Sequence, residues 1–389
     1  MPLGLFALAV GGFGIGLTEF VIVGLLPEIA SDFRVNESGV GILVWGYALA
    51  VAVGAVLLTA AVTKLPRKRV LIGLMVLFIA GNLVSATSGT LGLMLTGRVL
   101  AGLMHGAFFG IGAVVASGMV RPEKSGTAIA VMLSGLSIAN VLGVPFGTFV
   151  GQSFGWRSTF WVIAVIGIIA LVGIIVAVPQ PRSVMPENLR QQLKVFRRPQ
   201  VWYSVVITIL GWGGMFCAFT YIAYTLTSVT GFSTAAVPLL LVAFGVGSVV
   251  GNLLGGKAGD KNLNKTLIVA LSSLTVVLGV FSLTAHSKVM TVICLVLMAG
   301  FGFAISPTSQ MRILSFARDA PTMASGANIA AFNIGNALAA GLGGLAITAR
   351  LGFVSPIWIG TGLSGVGLVV LLMATRLGQR NKADPITLK

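Results

Sequence analysis

Twelve stretches of this chain are long enough to cross a bilayer and nearly free of charge, and they recur from one end of the sequence to the other. They are Leu3–Leu26, Gly39–Thr63, Val70–Thr87, Leu91–Ser117, Gly126–Gly151, Ser158–Val178, Val201–Thr227, Ala236–Gly256, Thr266–Ala285, Val289–Leu314, Met323–Ala349 and Phe353–Thr375. A hydrocarbon core about 30 Å thick asks for roughly 20 such residues per helix. In that medium each backbone N–H and C=O must find its partner inside the protein, and for long apolar runs the helix is the form that provides it. Only 9% of the 389 residues are charged, against about a quarter in a soluble domain, so no sizeable soluble domain fits between the spans. The expectation is an all-α membrane protein with twelve transmembrane helices. Leu3–Leu26 has some look of a secretory leader, but its apolar run is too long and no basic residue precedes it, so it reads as a retained helix.

The formal charge of +16 would suggest nucleic acid in a soluble chain. The positions of the charges point elsewhere. Twenty of the 25 Lys and Arg, Arg67 and Arg312 among them, fall in connections on the side where the first span begins; Arg34, Arg157, Lys288 and Arg350 fall on the other. Such an asymmetry sets orientation, and it places the basic side and both termini in the cytoplasm of a bacterial inner-membrane protein. The partners expected are the lipid bilayer, a small-molecule substrate and protons, with no nucleic acid and with the chain working as a monomer. Cys217 and Cys294 lie inside spans and are read as packing residues; no metal cluster or cofactor motif is legible.

The longest polar interruption, Pro179 to Gln200, divides six spans from six. The expected organisation is a first bundle at 1–178, a cytoplasmic linker at 179–200, a second bundle at 201–376 and a cytoplasmic tail at 377–389. The halves also resemble each other. "SGTAIAVMLSGLSIANVLG" from Ser125 matches "SGANIAAFNIGNALAAGLG" from Ser325, Gly54 onward matches Gly251 onward, and "AGLMHGAF" from Ala101 matches "AGFGFAIS" from Ala299. Three ordered matches at nearly one offset predict two pseudo-symmetric six-helix bundles with a substrate path between them near the midplane.

In the fifth span Gly135, Ala139, Gly143, Gly147 and Gly151 recur every four residues, a small-residue ridge that another helix can approach closely. Pro145 removes a backbone donor and should bend that helix, so Gly143, Pro145 and Gly147 are candidates for a movable seam, with plain tight packing as the alternative. The connection "VTKLPRKRV", which contains Arg67, is strongly basic. Its counterpart "GGKAGDKNLNK" holds one acid, Asp260, which either pairs in a gate with a basic group or is simply solvated.

Two normally charged residues lie deep in the predicted spans, Glu19 in the first and Arg98 in the fourth. Charge at that depth costs at least ~2.5–3.5 kcal/mol and is functional by default. At ~1.5 Å per residue both sit about 10 Å below the outer end, so one pocket can hold both. A desolvated carboxylate holds a proton and a nearby guanidinium favours its release, so moving Arg98 would switch Glu19. The alternative is a static ion pair locking two helices. His105, two turns after Arg98, either relays protons or simply bonds to the backbone. Trp212, Phe216, Tyr221, Tyr224 and Gln310 are candidates, with Glu19, to line a largely apolar substrate pocket.

The chain resembles the major facilitator superfamily over essentially its full length. The resemblance rests on the basic second-to-third connection, "GRVLAGLMHGAFFG" from Gly97, "ANVLGVPFGT" from Ala139 followed by "GWRSTFW", and "GLTEF" around Glu19. The Gly-x-Pro-x-Gly pattern is similar to that of the drug:proton antiporter branch, and "TEF", "MHGAFFG" and "GVPFGT" together resemble its bacterial arabinose-efflux and chloramphenicol-efflux subgroup. The resemblance implies alternating access between two bundles, proton coupling at Arg98 and recognition at Glu19. One departure stands out: Thr63 and Pro66 occupy positions where the family's loop carries Asp and Gly, so a gate built on that Asp does not carry over. The function expected is proton-coupled export of small organic molecules, such as chloramphenicol-like drugs, sugars or nucleosides. A nutrient facilitator or proton symporter is the alternative within transport, and a membrane receptor or enzyme the alternative outside it.

Overall fold

The computed structural model describes residues 2–62, 65–121, 124–179, 193–317 and 319–383. Most of the expected linker, Thr63 and residues 384–389 of the expected tail lie outside the described residues. Twelve helices are long and apolar enough to cross a membrane: α1 (Leu3–Phe33), α2 (Glu37–Leu58), α3 (Arg67–Ala86), α4 (Leu91–Gly118), α5 (Ser125–Phe154), α6 (Trp156–Ala177), α7 (Pro199–Thr220), α8 (Thr234–Lys261), α9 (Leu263–Thr284), α10 (Lys288–Phe316), α11 (Met323–Thr348) and α12 (Ser355–Leu377). Their starts are set by side chains that accept from the first free backbone N–H groups: Asn36 before α2, Thr90 before α4, Asn262 before α9 and Ser287 before α10. Each such cap contributes about 1 kcal/mol.

α1 runs past Leu26, where the apolar stretch ends, to Phe33. The extra turns carry Glu28 and Asp32, polar residues that the sequence reading leaves in a connection. Tertiary partners hold them in the helix: Gln152 donates to Glu28 at 3.2 Å, while Arg157 and Trp156 donate to Asp32 at 2.7 and 3.2 Å. Arg34, with φ of 54°, then turns the chain.

Inside the first six helices the closest packing pairs α2 with α4, α3 with α4 and α6, and α1 with α5 and α6. Inside the second six it pairs α8 with α10, α9 with α10 and α12, and α7 with α11 and α12. Adding six to every label of the first set gives the second, so the two bundles are pseudo-symmetric. They meet along α2 against α11 and along α5 against α8.

The α5 ridge faces α1. A Cβ at Gly143 would lie 3.1 Å from the Phe13 ring, one at Gly147 2.8 Å from Val21 and one at Gly151 2.6 Å from Leu25. Ahead of Pro145 the helix widens into a π turn over Ala139–Gly143. That turn makes room for a proline ring which would otherwise crowd the carbonyl four residues earlier. Packing of α5 on α8 runs through 139–154, from this turn to the end of the helix.

Candidate functional site

Three helices of the first bundle bury a polar cluster around Arg98, which is 1% exposed. Its Nη1 donates to the Thr18 carbonyl of α1, its Nε donates to the Leu43 carbonyl of α2 at 3.2 Å, and its guanidinium lies 4.1 Å over the Tyr47 ring. Tyr47 in turn shares a 3.1 Å hydrogen bond with His105 Nδ1. Thr18 also donates from its hydroxyl to Asn82 of α3 at 2.5 Å. The cation is therefore stabilised by carbonyl dipoles and an aromatic face, and its Nη2 has no partner among the described residues.

Glu19 follows the carbonyl that Arg98 holds. Glu19 is 8% exposed, and its carboxyl meets the other bundle. Asn336 of α11 donates its Nδ2 to Glu19 Oε1 at 3.5 Å, and Trp212 of α7 donates its indole N–H to Asn336 Oδ1 at 2.7 Å. An indole N–H can only donate, so the Asn336 oxygen must face Trp212 and its amide nitrogen must face Glu19. Trp212 is fixed by edge contacts with Phe303 and Phe332, both at 5.0 Å.

Toward the end of the bundle that carries the α1–α2 connection, this level is closed by an aromatic layer. Phe20 of α1 meets Phe216 at 6.1 Å, Phe216 meets Phe219 at 5.9 Å, and Phe219 stacks on Phe244 of α8 at 4.1 Å. Beyond it, Tyr221 donates to the Ala340 carbonyl at 3.0 Å and fills the space left by Gly343 and Gly344. Toward the opposite end the lining becomes polar. Thr208 donates to Asn328 at 2.9 Å, Asn328 to Gln310 at 2.7 Å and Gln310 to Ser325 at 2.9 Å.

The structure thus brings Glu19, Arg98 and Trp212 to one level, with Phe216 in the layer that closes it, and links His105, two turns further along α4, to Arg98 through Tyr47. The static ion pair given as the alternative for Glu19 and Arg98 is not formed: the salt bridges among the described residues are Arg157–Asp32 and Arg198–Asp319. Two expected placements are not met. Tyr221 and Tyr224 do not line the pocket: the first seals the far end and the second stacks on Phe353 at 5.1 Å. Asp260 is exposed at the end of α8 and takes part in neither salt bridge, so a gate between Asp260 and Arg67 is not formed in this conformation. Gln310 lies closer to the basic end than Trp212 does, within the polar lining. Sequence reasoning missed Asn336, Tyr47 and Asn82. The available signal was a polar side chain inside an apolar span, masked by the number of such residues with only a backbone role.

Two bundles of six related helices around a buried acid, amide and indole define a multi-pass membrane transporter. The chain belongs to the Major Facilitator Superfamily, whose family model matches residues 8–324 and again 231–387. It is 39% identical to the inner membrane transport protein YdhP of Escherichia coli over 96% of each chain. It is 32% identical to a chloramphenicol resistance protein of Streptomyces lividans over 95% of each, in keeping with the efflux-like subgroup that the motifs indicate. The crystal structure of a D-xylose-proton symporter shares the fold, with a TM-score of 0.79 at 17% identity over 94% of this chain and 96% of the other.

Proposed function

We propose that this transporter is a proton-coupled antiporter of a bacterial inner membrane, with both termini cytoplasmic, that exports small organic molecules by alternating access. The observation that carries the reading is Glu19: a buried carboxyl at the meeting of the two bundles, held by a neutral amide of the opposite bundle, near a guanidinium whose Nη2 is idle among the described residues. Such a group is free to load and unload a proton, because its partner does not fix its charge.

The coupling follows from hydrogen-bond chemistry. The Asn336 N–H bonds more strongly to a carboxylate than to a neutral acid, since charge-assisted bonds are roughly twice as strong. Arg98 Nη2 is the second donor that a carboxylate at Glu19 would draw in. Unprotonated Glu19 therefore favours the contact between α1 and α11, and protonation loosens it and lets the bundles rock. Trp212, Phe303 and Phe332 offer an apolar wall of edge-packed rings to the solute, with Asn336 and Asn328 as polar anchors. On this reading α5 bends at the π turn and Pro145, which pack against α1 at this same depth. On the same reading the solute enters from the basic, cytoplasmic end, past the polar side chains Asn328 and Gln310.

Everted vesicles test this reading. With an acid-inside gradient imposed, accumulation of chloramphenicol, arabinose or a purine nucleoside is expected to exceed that in vesicles lacking the protein and to collapse when the gradient is dissipated. Transport indifferent to the gradient would contradict it.

A further inference from the structure

The second bundle buries a guanidinium of its own. Arg312, which the charge count assigns to a connection, lies within α10 and is 2% exposed. Its Nη1 donates to Asn264 Oδ1 at 2.8 Å and its Nη2 to Gln200 Oε1 at 3.2 Å, while its buried Nε has no partner among the described residues. Both acceptors are neutral amides. The acid that follows α10, Asp319, is taken by Arg198 through both carboxylate oxygens, at 2.7 and 2.9 Å. Neither salt bridge among the described residues includes Arg312.

A buried cation without a counter-charge is costly. Here the Phe316 ring, 5.3 Å from the guanidinium, and the C-terminal end of α10 offset part of that charge, but two other helix ends add to it. Gln200 stands in the first turn of α7 and Asn264 in the first turn of α9, two helices of 22 residues each, so Arg312 lies where two helix N-termini converge. Those ends carry partial positive charge and favour anions. Asn264 and the adjoining Lys265 are exposed, which gives the site an open edge. Beside the first turn of α7, Phe196, Trp202 and Tyr203 line an apolar groove on the outside of the bundle.

We propose that Arg312, Asn264 and the first turns of α7 and α9 form a binding site for a phosphate oxyanion, supplied by the headgroup of an anionic phospholipid. One phosphate oxygen takes the idle Nε and another replaces Gln200 Oε1 on Nη2, the side-on pair of donors that a guanidinium offers bidentately. The groove accepts an acyl chain, which favours a lipid over free phosphate, although the two share the same headgroup chemistry.

The test uses the full-length protein in phosphatidylcholine nanodiscs and reads the midpoint of thermal unfolding. One arm titrates phosphatidylglycerol into the discs; the other compares sodium phosphate with sodium chloride at equal ionic strength. The variants are Arg312→Gln and Asn264→Asp. The second places a carboxylate beside Nη1 without opening a cavity, so it serves even if the first fails to fold. Phosphatidylglycerol is expected to raise the midpoint of the wild type. The amount needed for half of that rise should increase about tenfold in either variant, the loss of one charge-assisted bond. A response to phosphatidylglycerol alone identifies the headgroup, and a response to phosphate as well identifies a general oxyanion site; both support the proposal. An equal response in wild type and Asn264→Asp, or none in the wild type to either probe, would overturn it.

Discussion

In and around the site the first bundle holds ionisable side chains, Glu19, Arg98 and His105, while the second holds Trp212, Asn336 and aromatic rings. The helix pairings are the same in both. The repeat has thus kept its packing and let its chemistry diverge, and the two kinds of chemistry touch through the Glu19–Asn336 contact. On the proposed reading, one bundle carries the proton and the other reads it.

The sharpest way to break this comparison is to remove a buried cation from each side. Arg98→Leu removes the guanidinium's bonds to the Thr18 and Leu43 carbonyls, which keep their intrahelical partners, so at ~1.5–3 kcal/mol for each bond to a charged group a loss of up to roughly 3–6 kcal/mol is expected in thermal or denaturant unfolding. Arg312→Leu strands only side-chain amides with an exposed edge, and its loss should be clearly smaller. If Arg312→Leu proves the worse of the two, the ranking of the two sites is wrong.

Packing, by contrast, should respond in the same direction in both halves. Gly135 of α5 lies against the Ala9 carbonyl of α1, and Gly335 of α11 lies against the Ile209 carbonyl of α7, the first approach being the tighter. Gly135→Ala and Gly335→Ala each force helices apart, at about 1–3 kcal/mol for overpacking. Both should lower the melting temperature, Gly135→Ala the more; a larger drop in Gly335→Ala would contradict the ranking.

Asn336→Ala removes the reader and leaves the Trp212 N–H unbonded, at ~1–3 kcal/mol. Loss of gradient-driven transport is expected while solute exchange at equal pH survives. Asn328→Ala, two helical turns lower, should cost similar stability but keep the response to the gradient. Equal loss of gradient drive in both would reduce Asn336 to a structural amide.

The smallest effect belongs to the basic end. The Asp319 carboxylate is held below the usual aspartate range by a hydrogen bond to its own backbone and by Arg198. A lowered value means that the contact contributes above the ordinary aspartate range and is lost as pH falls through the lowered one. Wild type and Asp319→Asn should therefore differ slightly in melting temperature at neutral pH and converge in acid.

Much of this architecture is legible in the chain, because hydrocarbon leaves few options: twelve apolar runs, a sided charge distribution and a repeat fix helices and pairing. Glu19 and Arg98 stand out for the same reason. What stays hidden depends on tertiary partners. Glu28 and Asp32 look like connection residues until Gln152, Trp156 and Arg157 draw them into α1. Arg312 looks like one more loop cation until the starts of α7 and α9 enclose it. Asn336 is one of several asparagines in apolar spans, and nothing local distinguishes it from Asn333, whose amide bonds to its own helix at the Ile329 carbonyl. Tyr221 and Trp212 sit nine residues apart in sequence and serve as seal and pocket wall, a division set by glycines on another helix.

The most direct measurement compares wild type with Glu19→Gln in proteoliposomes, following both solute exchange at equal pH and transport driven by an imposed pH gradient. Glutamine keeps an acceptor oxygen for Asn336 and the volume of the side chain, but it cannot exchange a proton. The account predicts that exchange persists and gradient drive disappears. Gradient-driven transport that survives in Glu19→Gln would contradict it.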